Sequence, residues 1–239
     1  MKKKSSKQVD MKTVRIHPTQ ILVLLTVVLC LGSDTFASPA TLTPWFGELT
    51  VPILGVTLNE QHQPVGVVTE VVINFRERAD HHGLQVQFLK TPGQFSPIAQ
   101  KAVEQAITRV SQAAHLRTDS WTIQLTFPYP GVTMFGDSLS AMVGLTVVAL
   151  AKGDPIFYGR SITGTITEKG TIGKVGGVPL KINAAYSEHL NRIFIPEEQD
   201  IGDGDWRTPF LMHVSPVKSL NKAYYGLTGQ PLLVARAVQ

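Results

Sequence analysis

Cysteine is almost missing from this 239-residue chain, and its one representative, Cys30, falls in an apolar run near the start. Beyond that run no thiol is left for a nucleophile, a thiolate metal site or an intramolecular disulfide. An excess of charge is also missing from the body of the chain. The formal net charge is +4, but six of the 22 lysines and arginines and only two of the 18 acidic residues lie in the first 37 positions, which leaves 16 of each sign. Without a basic cluster to neutralise phosphates, no nucleic-acid partner is expected. Six histidines follow residue 37 (His62, His81, His82, His115, His189 and His213), and none forms the helical pair beside a glutamate that zinc hydrolases use. GTIGKV at 170–175 lacks the four-residue gap and the hydroxyl after lysine of a phosphate loop, so neither ATP nor another cofactor is expected.

What is present begins with MKKKSSKQVDMKTVRIHPTQ, then ILVLLTVVLCLG at 21–32 and SDTFASPA at 33–40. A basic region, a short apolar run and a small-residue stretch read as a secretory leader. As a helix the run would span roughly 18 Å against a hydrocarbon core of roughly 30 Å. Cleavage after Ala37 is the first expectation and after Ala40 the second, with Met11 a candidate start in place of Met1. Lipid attachment at Cys30 is disfavoured by Leu29. The chain is expected in the periplasm or envelope, or else anchored to a membrane by residues 21–32. The expected division is a leader at 1–37, a linker at 38–49 and one domain at 50–239, long enough to bury a core without staples.

Strands are expected at 50–58 and 64–75, joined as a hairpin, then at 83–90, 121–127, 192–196 and 210–214, from their β-branched content and flanking turn residues. SITGTITE (161–168) and TIGKV (171–175) read as a second hairpin. Helices are expected from Ser96-Pro97 to Ala114, at 140–153, from Val178 to Leu190 and from Ser219 to Gly226. The first carries a small-residue stripe expected to lie on the sheet. The second is apolar nearly all round, as in a central buried helix. The apolar tail 231–238 is expected to pack on the domain or on a neighbouring subunit. The resulting class is α+β.

Two residue types in this pattern suggest chemistry. Ser140 opens the buried helix, where unbonded N–H groups favour negative charge and suit the oxyanion of acyl transfer. A serine needs a base. Lys181 lies in the first turn of the helix entered by GGVPLKINAA, where the helix dipole and burial both favour the neutral amine. The plain alternatives are a capping serine and a solvated lysine, and composition alone leaves them open.

The segments GDSLSAM (136–142) and TGTITEKGTIGKVGGVPLKINAA (163–185) resemble the active-site regions of the proteolytic domain of Lon proteases, which are serine–lysine peptidases. The family pattern Asp-Gly-Pro-Ser-Ala-Gly is set against Asp137, Ser138, Leu139, Ser140, Ala141 and Met142, which puts the nucleophile on Ser140. The family's Gly-Gly-Leu-x-x-Lys matches Gly176, Gly177, Val178 and Lys181, 41 residues beyond Ser140, a spacing similar to the family's. Thr163 corresponds to the threonine that supports the lysine. The sequence departs at Ser138-Leu139, at Met142 and at Thr165, where the family has Gly-Pro, Gly and Glu, and Ser138 emerges as a second hydroxyl beside Ser140. The resemblance continues through IFIPEEQD and HVSPVKSLNKAYYG. It implies a Lon proteolytic-domain-like fold of mixed sheets and packed helices, and a serine endopeptidase. The family in general couples this domain to an ATP-driven unfoldase, and with no phosphate loop in this sequence the expected cleavage is ATP-independent and limited to unfolded or flexible peptides. It also implies a homo-oligomer, a hexameric ring in the family. The competing expectation is a catalytically degenerate member that binds peptides or serves as an envelope scaffold.

Overall fold

The computed structural model describes residues 46–233; the expected leader, most of the expected linker and the last residues of the tail lie outside that range. In chain order the elements are β1 (Phe46–Leu58), β2 (Pro64–Glu77), β3 (Gln85–Phe88), β4 (Gln94–Phe95), α1 (Pro97–Ala113), β5 (Trp121–Thr126), β6 (Thr133–Met134), α2 (Ser140–Lys152), β7 (Arg160–Ile162), β8 (Thr165–Ile166), β9 (Ile172–Gly173), α3 (Val178–Ser187), β10 (Arg192–Pro196), β11 (His213–Val217) and α4 (Leu220–Thr228). This is a mixed α+β fold.

β1 and β2 form a long antiparallel ribbon, in register from Phe46↔Arg76 to Leu58↔Pro64. β1 begins within the stretch expected as linker. The polar turn closes because Asn59 Oδ1 accepts from the N–H groups of Gln61 and Gln63, a local bond that asparagine makes readily. β5 adds antiparallel to β2 and β3 parallel to β5, giving the order β1-β2-β5-β3. Strict alternation places Trp121, Ile123 and Leu125 in the core.

The second sheet is parallel, in the order β11-β10-β7. The expected hairpin at 161–175 therefore divides. Residues 160–162 pair with β10, and only Thr165–Ile166 with Ile172–Gly173 form the antiparallel pair. The strand expected at 210–214 starts three residues later, at His213. Leu211 has a φ of 65°, which turns the backbone out of the extended region before the strand begins. β4 and β6 pair parallel to each other and were not foreseen, since two residues carry no readable period.

α2 has the all-round burial expected of it, from Ser140 through Ala149. The small-residue stripe of α1 makes its close backbone approach to α2, with Ala106 against Gly144, and not to the sheet. Small side chains let two backbones meet, and α2 was the nearer backbone. A second cluster, Leu54, Val178, Ile182, Ala185, Ile193 and Ile195 among others, fastens α3 to the parallel sheet. Its other side lies on β2, where Gly66 faces the Leu180 carbonyl so closely that a Cβ would overlap it. Among the described residues no helix is long and apolar enough to cross a membrane.

Because the Leu180 carbonyl is backbone, Gly66→Ala forces α3 away from β2 and should destabilise the fold by about 2 kcal/mol. Gly202→Ala, with no atom near its new methyl group, should stay within about 0.5 kcal/mol of the parent. Denaturant unfolding followed by circular dichroism compares the two. Equal midpoints would show that α3 does not depend on this contact.

Candidate active site

Lys181 is placed by the turn that starts its helix. Gly177 occupies the left-handed region at a φ of 72°, a conformation glycine adopts without a steric cost, so the chain reverses sharply into α3. The first N–H groups of the helix are then met by Asp203, whose carboxylate accepts from Gly177 N at 2.8 Å and Val178 N at 2.9 Å. Sequence reading missed Asp203. IGDGDW announces a loop, and nothing local says which helix start the loop reaches. One turn into α3, Lys181 is only 3% exposed, and its Nζ donates to Thr163 Oγ1 at 3.2 Å. Burial drives the lysine pKa down to about 8, while the carboxylates of Asp203 and Asp137 pull the other way.

Thr163 is itself fixed, with its N–H bonded to the Phe194 carbonyl of β10 at 3.0 Å. The next residue ties the serine turn to the same place. Gly164 N donates to Ser138 O at 3.0 Å, and Ala141 N donates to Gly164 O at 3.1 Å. The 163–164 segment thus holds the lysine amine by a side chain and the serine turn by its backbone, which brings together three parts of the chain far apart in sequence.

The two serines of that turn face different spaces. Ser138 is half-buried and lines a cleft of about 690 Å³ together with Lys181, Leu139, Gly176, Met134, Phe135 and residues of β1 and β2. Ser140 is 1% exposed and lines a separate cavity of about 300 Å³ with Asp137, Arg109, Gln105, Thr165 and Thr167. In this structure Lys181 Nζ makes its hydrogen bond to Thr163 and to neither serine. Neither serine caps α2 through its side chain, because the cap position is Leu139. The N–H groups of Ser138 and Leu139 have no backbone acceptor among the described residues. Of the departures from the family pattern, Thr165 shares the Ser140 cavity and Met142 is fully buried in the main core.

A serine, a histidine and an aspartate also meet elsewhere, unforeseen from the sequence. Ser120 Oγ lies 2.6 Å from His81 Nδ1, and Asp119 Oδ2 lies 3.5 Å from the same nitrogen. A catalytic triad needs the carboxylate and the hydroxyl on opposite ring nitrogens, so this group does not have the arrangement of a triad. Among the described residues no cluster of three or more metal-ligating side chains is present.

Comparison with known proteins bears on the same region. The family model of the Lon protease (S16) C-terminal proteolytic domain matches residues 82–206, more than half of the chain. An archaeal Lon protease from Archaeoglobus fulgidus is 32% identical over 108 residues, 44% of this chain and 17% of that protein. The peroxisomal Lon protease homolog 2 of Xenopus laevis is 27% identical over 179 residues, 70% of this chain and 20% of that protein. A Lon protease of Fervidobacterium nodosum is 24% identical over 185 residues, 71% of this chain and 22% of that protein. The chain spans about a fifth of the length of the curated relatives it matches. With the fold, the converging serine turn and lysine helix, and a match over more than half its length, the chain belongs to the Lon protease C-terminal proteolytic domain family.

Proposed function

We propose that this domain is a serine–lysine endopeptidase that cleaves flexible or unfolded polypeptide segments without nucleotide, with Ser138 rather than Ser140 as the nucleophile. The observation that carries the reading is a lysine amine almost sealed from water, held by Thr163 and sharing its cleft with Ser138. An attacking oxygen has to reach a carbonyl carbon, and Ser138 opens to that cleft whereas Ser140 faces the Arg109 cavity. The family's Gly-Pro-Ser can equally be set against Gly136-Asp137-Ser138, which agrees with this geometry.

In the proposed reaction the neutral Nζ of Lys181 takes the proton of Ser138 Oγ as the oxygen attacks the peptide carbonyl. The N–H groups of Ser138 and Leu139 are the available donors for the resulting oxyanion. The Lys181 ammonium then protonates the leaving amine as the C–N bond breaks, and an ester remains on Ser138. Lys181 next takes a proton from water, the hydroxide attacks the ester, and collapse returns the proton to Ser138 Oγ and releases the carboxylate product. Thr163 keeps the amine pointed into the cleft throughout.

The cleft also favours an extended substrate. Ser161 Oγ bonds the Pro52 carbonyl at 2.8 Å on the side of β1 away from β2. Strand alternation then turns the backbone groups of Leu54 and Val56 to that same side, where both residues line the cleft and offer an unpaired edge to a peptide. The reading includes work outside the cytoplasm and self-association through this domain, the first supported by the leader-like start of the sequence and the second by the family resemblance.

Hydrolysis of an unfolded, fluorescently labelled protein tests the assignment. Ser138→Ala and Lys181→Met should each lower kcat/KM at least a thousandfold, and Ser140→Ala should stay within a few-fold of the parent. Loss on Ser140→Ala with activity kept in Ser138→Ala would return the nucleophile to Ser140. Peptide binding without cleavage in the parent protein would leave a noncatalytic peptide-binding domain.

The base has to be uncharged, so kcat/KM should climb tenfold per pH unit below pH 8 and level off above it, with about a tenth of the plateau at pH 7. A flat profile between pH 6 and 9 would exclude Lys181 as the base.

The same burial has a stability consequence. Below pH 8 the lysine is charged in both folded and unfolded chains, and the folded state carries the desolvation cost. That cost fades as pH rises from about 8 to the ordinary value of 10.5. Lys181→Met should therefore be more stable than the parent at pH 7, by about 1 to 3 kcal/mol, with the gap narrowing toward pH 10.5. Denaturant midpoints across that range decide it, and a pH-independent gap would contradict the buried-charge account.

A further inference from the structure

Asp203 has no place in the reaction steps, yet it touches the lysine helix more closely than any other charged side chain. It projects from the loop between β10 and β11, is half-buried, and spends both carboxylate oxygens on the two N–H groups that open α3. A neutral cap would satisfy the same donors. Here a full negative charge is placed at the helix start one turn before a buried amine, and the cleft that the amine lines carries no carboxylate of its own. Trp206, three residues further along the same loop, packs on the cluster that holds α3, so the loop and the helix are anchored together.

We propose that Asp203 is a positioning residue for the catalytic lysine: its carboxylate pins the first turn of α3, and its charge at that turn moves upward the pH range over which Lys181 serves as a base. This rests on the serine–lysine reading above. The charged groups that face Lys181 are few. Asp203 comes from the loop after β10, and Asp137 from the serine turn. Asp200, on the same loop as Asp203, places an oxygen 3.6 Å from the Cβ position of Gly176 at the cleft rim. The β1–β2 ribbon and the 133–135 segment bring no charged side chain to the cleft, and Thr163 brings a neutral hydroxyl. Asp137 stands on the turn that carries Ser138, so replacing it disturbs the nucleophile as well. Asp203 is the carboxylate whose charge can be removed alone.

Burial favours the neutral amine, and the Asp203 carboxylate favours the ammonium. Removing that charge moves the lysine further toward the neutral form. Asp203→Asn keeps a side-chain carbonyl that accepts one of the two N–H bonds, so the helix start survives while the charge goes. The acid limb of its kcat/KM profile should shift to lower pH by about half a unit, and the fraction of plateau activity at pH 6.5 should rise about threefold. Asp203→Ala should show the same shift with a lower plateau and a lower Tm.

A titration that does not depend on turnover runs alongside: the Lys181 Cε signal in protein labelled with 13C-lysine, assigned by its loss in Lys181→Met. A downward shift of that titration in Asp203→Asn shows that the Asp203 charge governs the protonation of Lys181 even if the parent protein cleaves nothing, in which case the peptidase reading fails and the role of that lysine as a base falls with it. An unchanged Lys181 titration in Asp203→Asn overturns it and leaves Asp203 as a helix cap, however much Asp203→Ala lowers Tm.

Discussion

Keeping one amine out of water is the constraint around which the rest of the site is arranged. An ammonium ion is strongly hydrated, and enclosing it costs free energy that packing elsewhere has to offset. The protein encloses Lys181 with Thr163 as its hydrogen-bond partner and without placing a carboxylate in direct contact. A carboxylate within bonding distance would have favoured the charged lysine, which cannot accept a proton. A hydroxyl orients the amine in either protonation state, because it can accept from N–H or donate to the lone pair. The nearest carboxylates act from a distance, one through the start of α3 and one from the serine turn, and they moderate the effect of burial without cancelling it.

That arrangement needs three segments to meet with small tolerance, and backbone bonds supply it. The parallel sheet fixes Thr163 through the Phe194 carbonyl, and Gly164 makes two backbone bonds, one to the turn that carries Ser138 and one to Ala141 in the first turn of α2. α3 is held from two sides, by the cluster around Ile182, Ile193 and Ile195 and by the close approach of Gly66 to the Leu180 carbonyl. Main-chain bonds and packed helices do not swing as free side chains do, so the functional atoms inherit the precision of the core. α2 is buried all round because α1, the β1–β2 ribbon and the β7 and β8 strands all pack against it.

Much of this was legible in the sequence because long periodic segments declare themselves. The β1–β2 ribbon, α1, α2 and α4 follow from β-branched runs, small-residue spacing and caps such as Ser96 and Ser219, each of which accepts the N–H three residues on. The start of α3 at Gly177-Val178 was legible for the same reason, and with it the position of Lys181. What was not legible depended on tertiary pairing. Nothing local tells residues 160–162 to join β10 rather than the following hairpin. Asp203 reaches a helix start 25 residues earlier in the chain, a contact without any local signature. The side of α2 that receives Ala106 is decided by which backbone comes near, and a stripe of alanines announces close packing without naming the partner.

The serine turn shows how fine that limit is. Ser138 and Ser140 are two residues apart, flank the same leucine and carry the same group, so helix period and composition treat them alike. They are separated by the path of the backbone through Gly136 and Asp137. Ser140 has already entered the helix and faces α1 and the β8 segment, where Arg109 reaches over to bond the Ile166 carbonyl. Ser138 still belongs to the turn, and its carbonyl is the one that Gly164 holds. A residue in the turn can present its side chain outward to a cleft, whereas a residue in the first turn of a fully buried helix is committed to the interior. Lys181 lines the cleft and not the cavity under α1, and the hydroxyl that shares its space is the one that has not yet joined the helix.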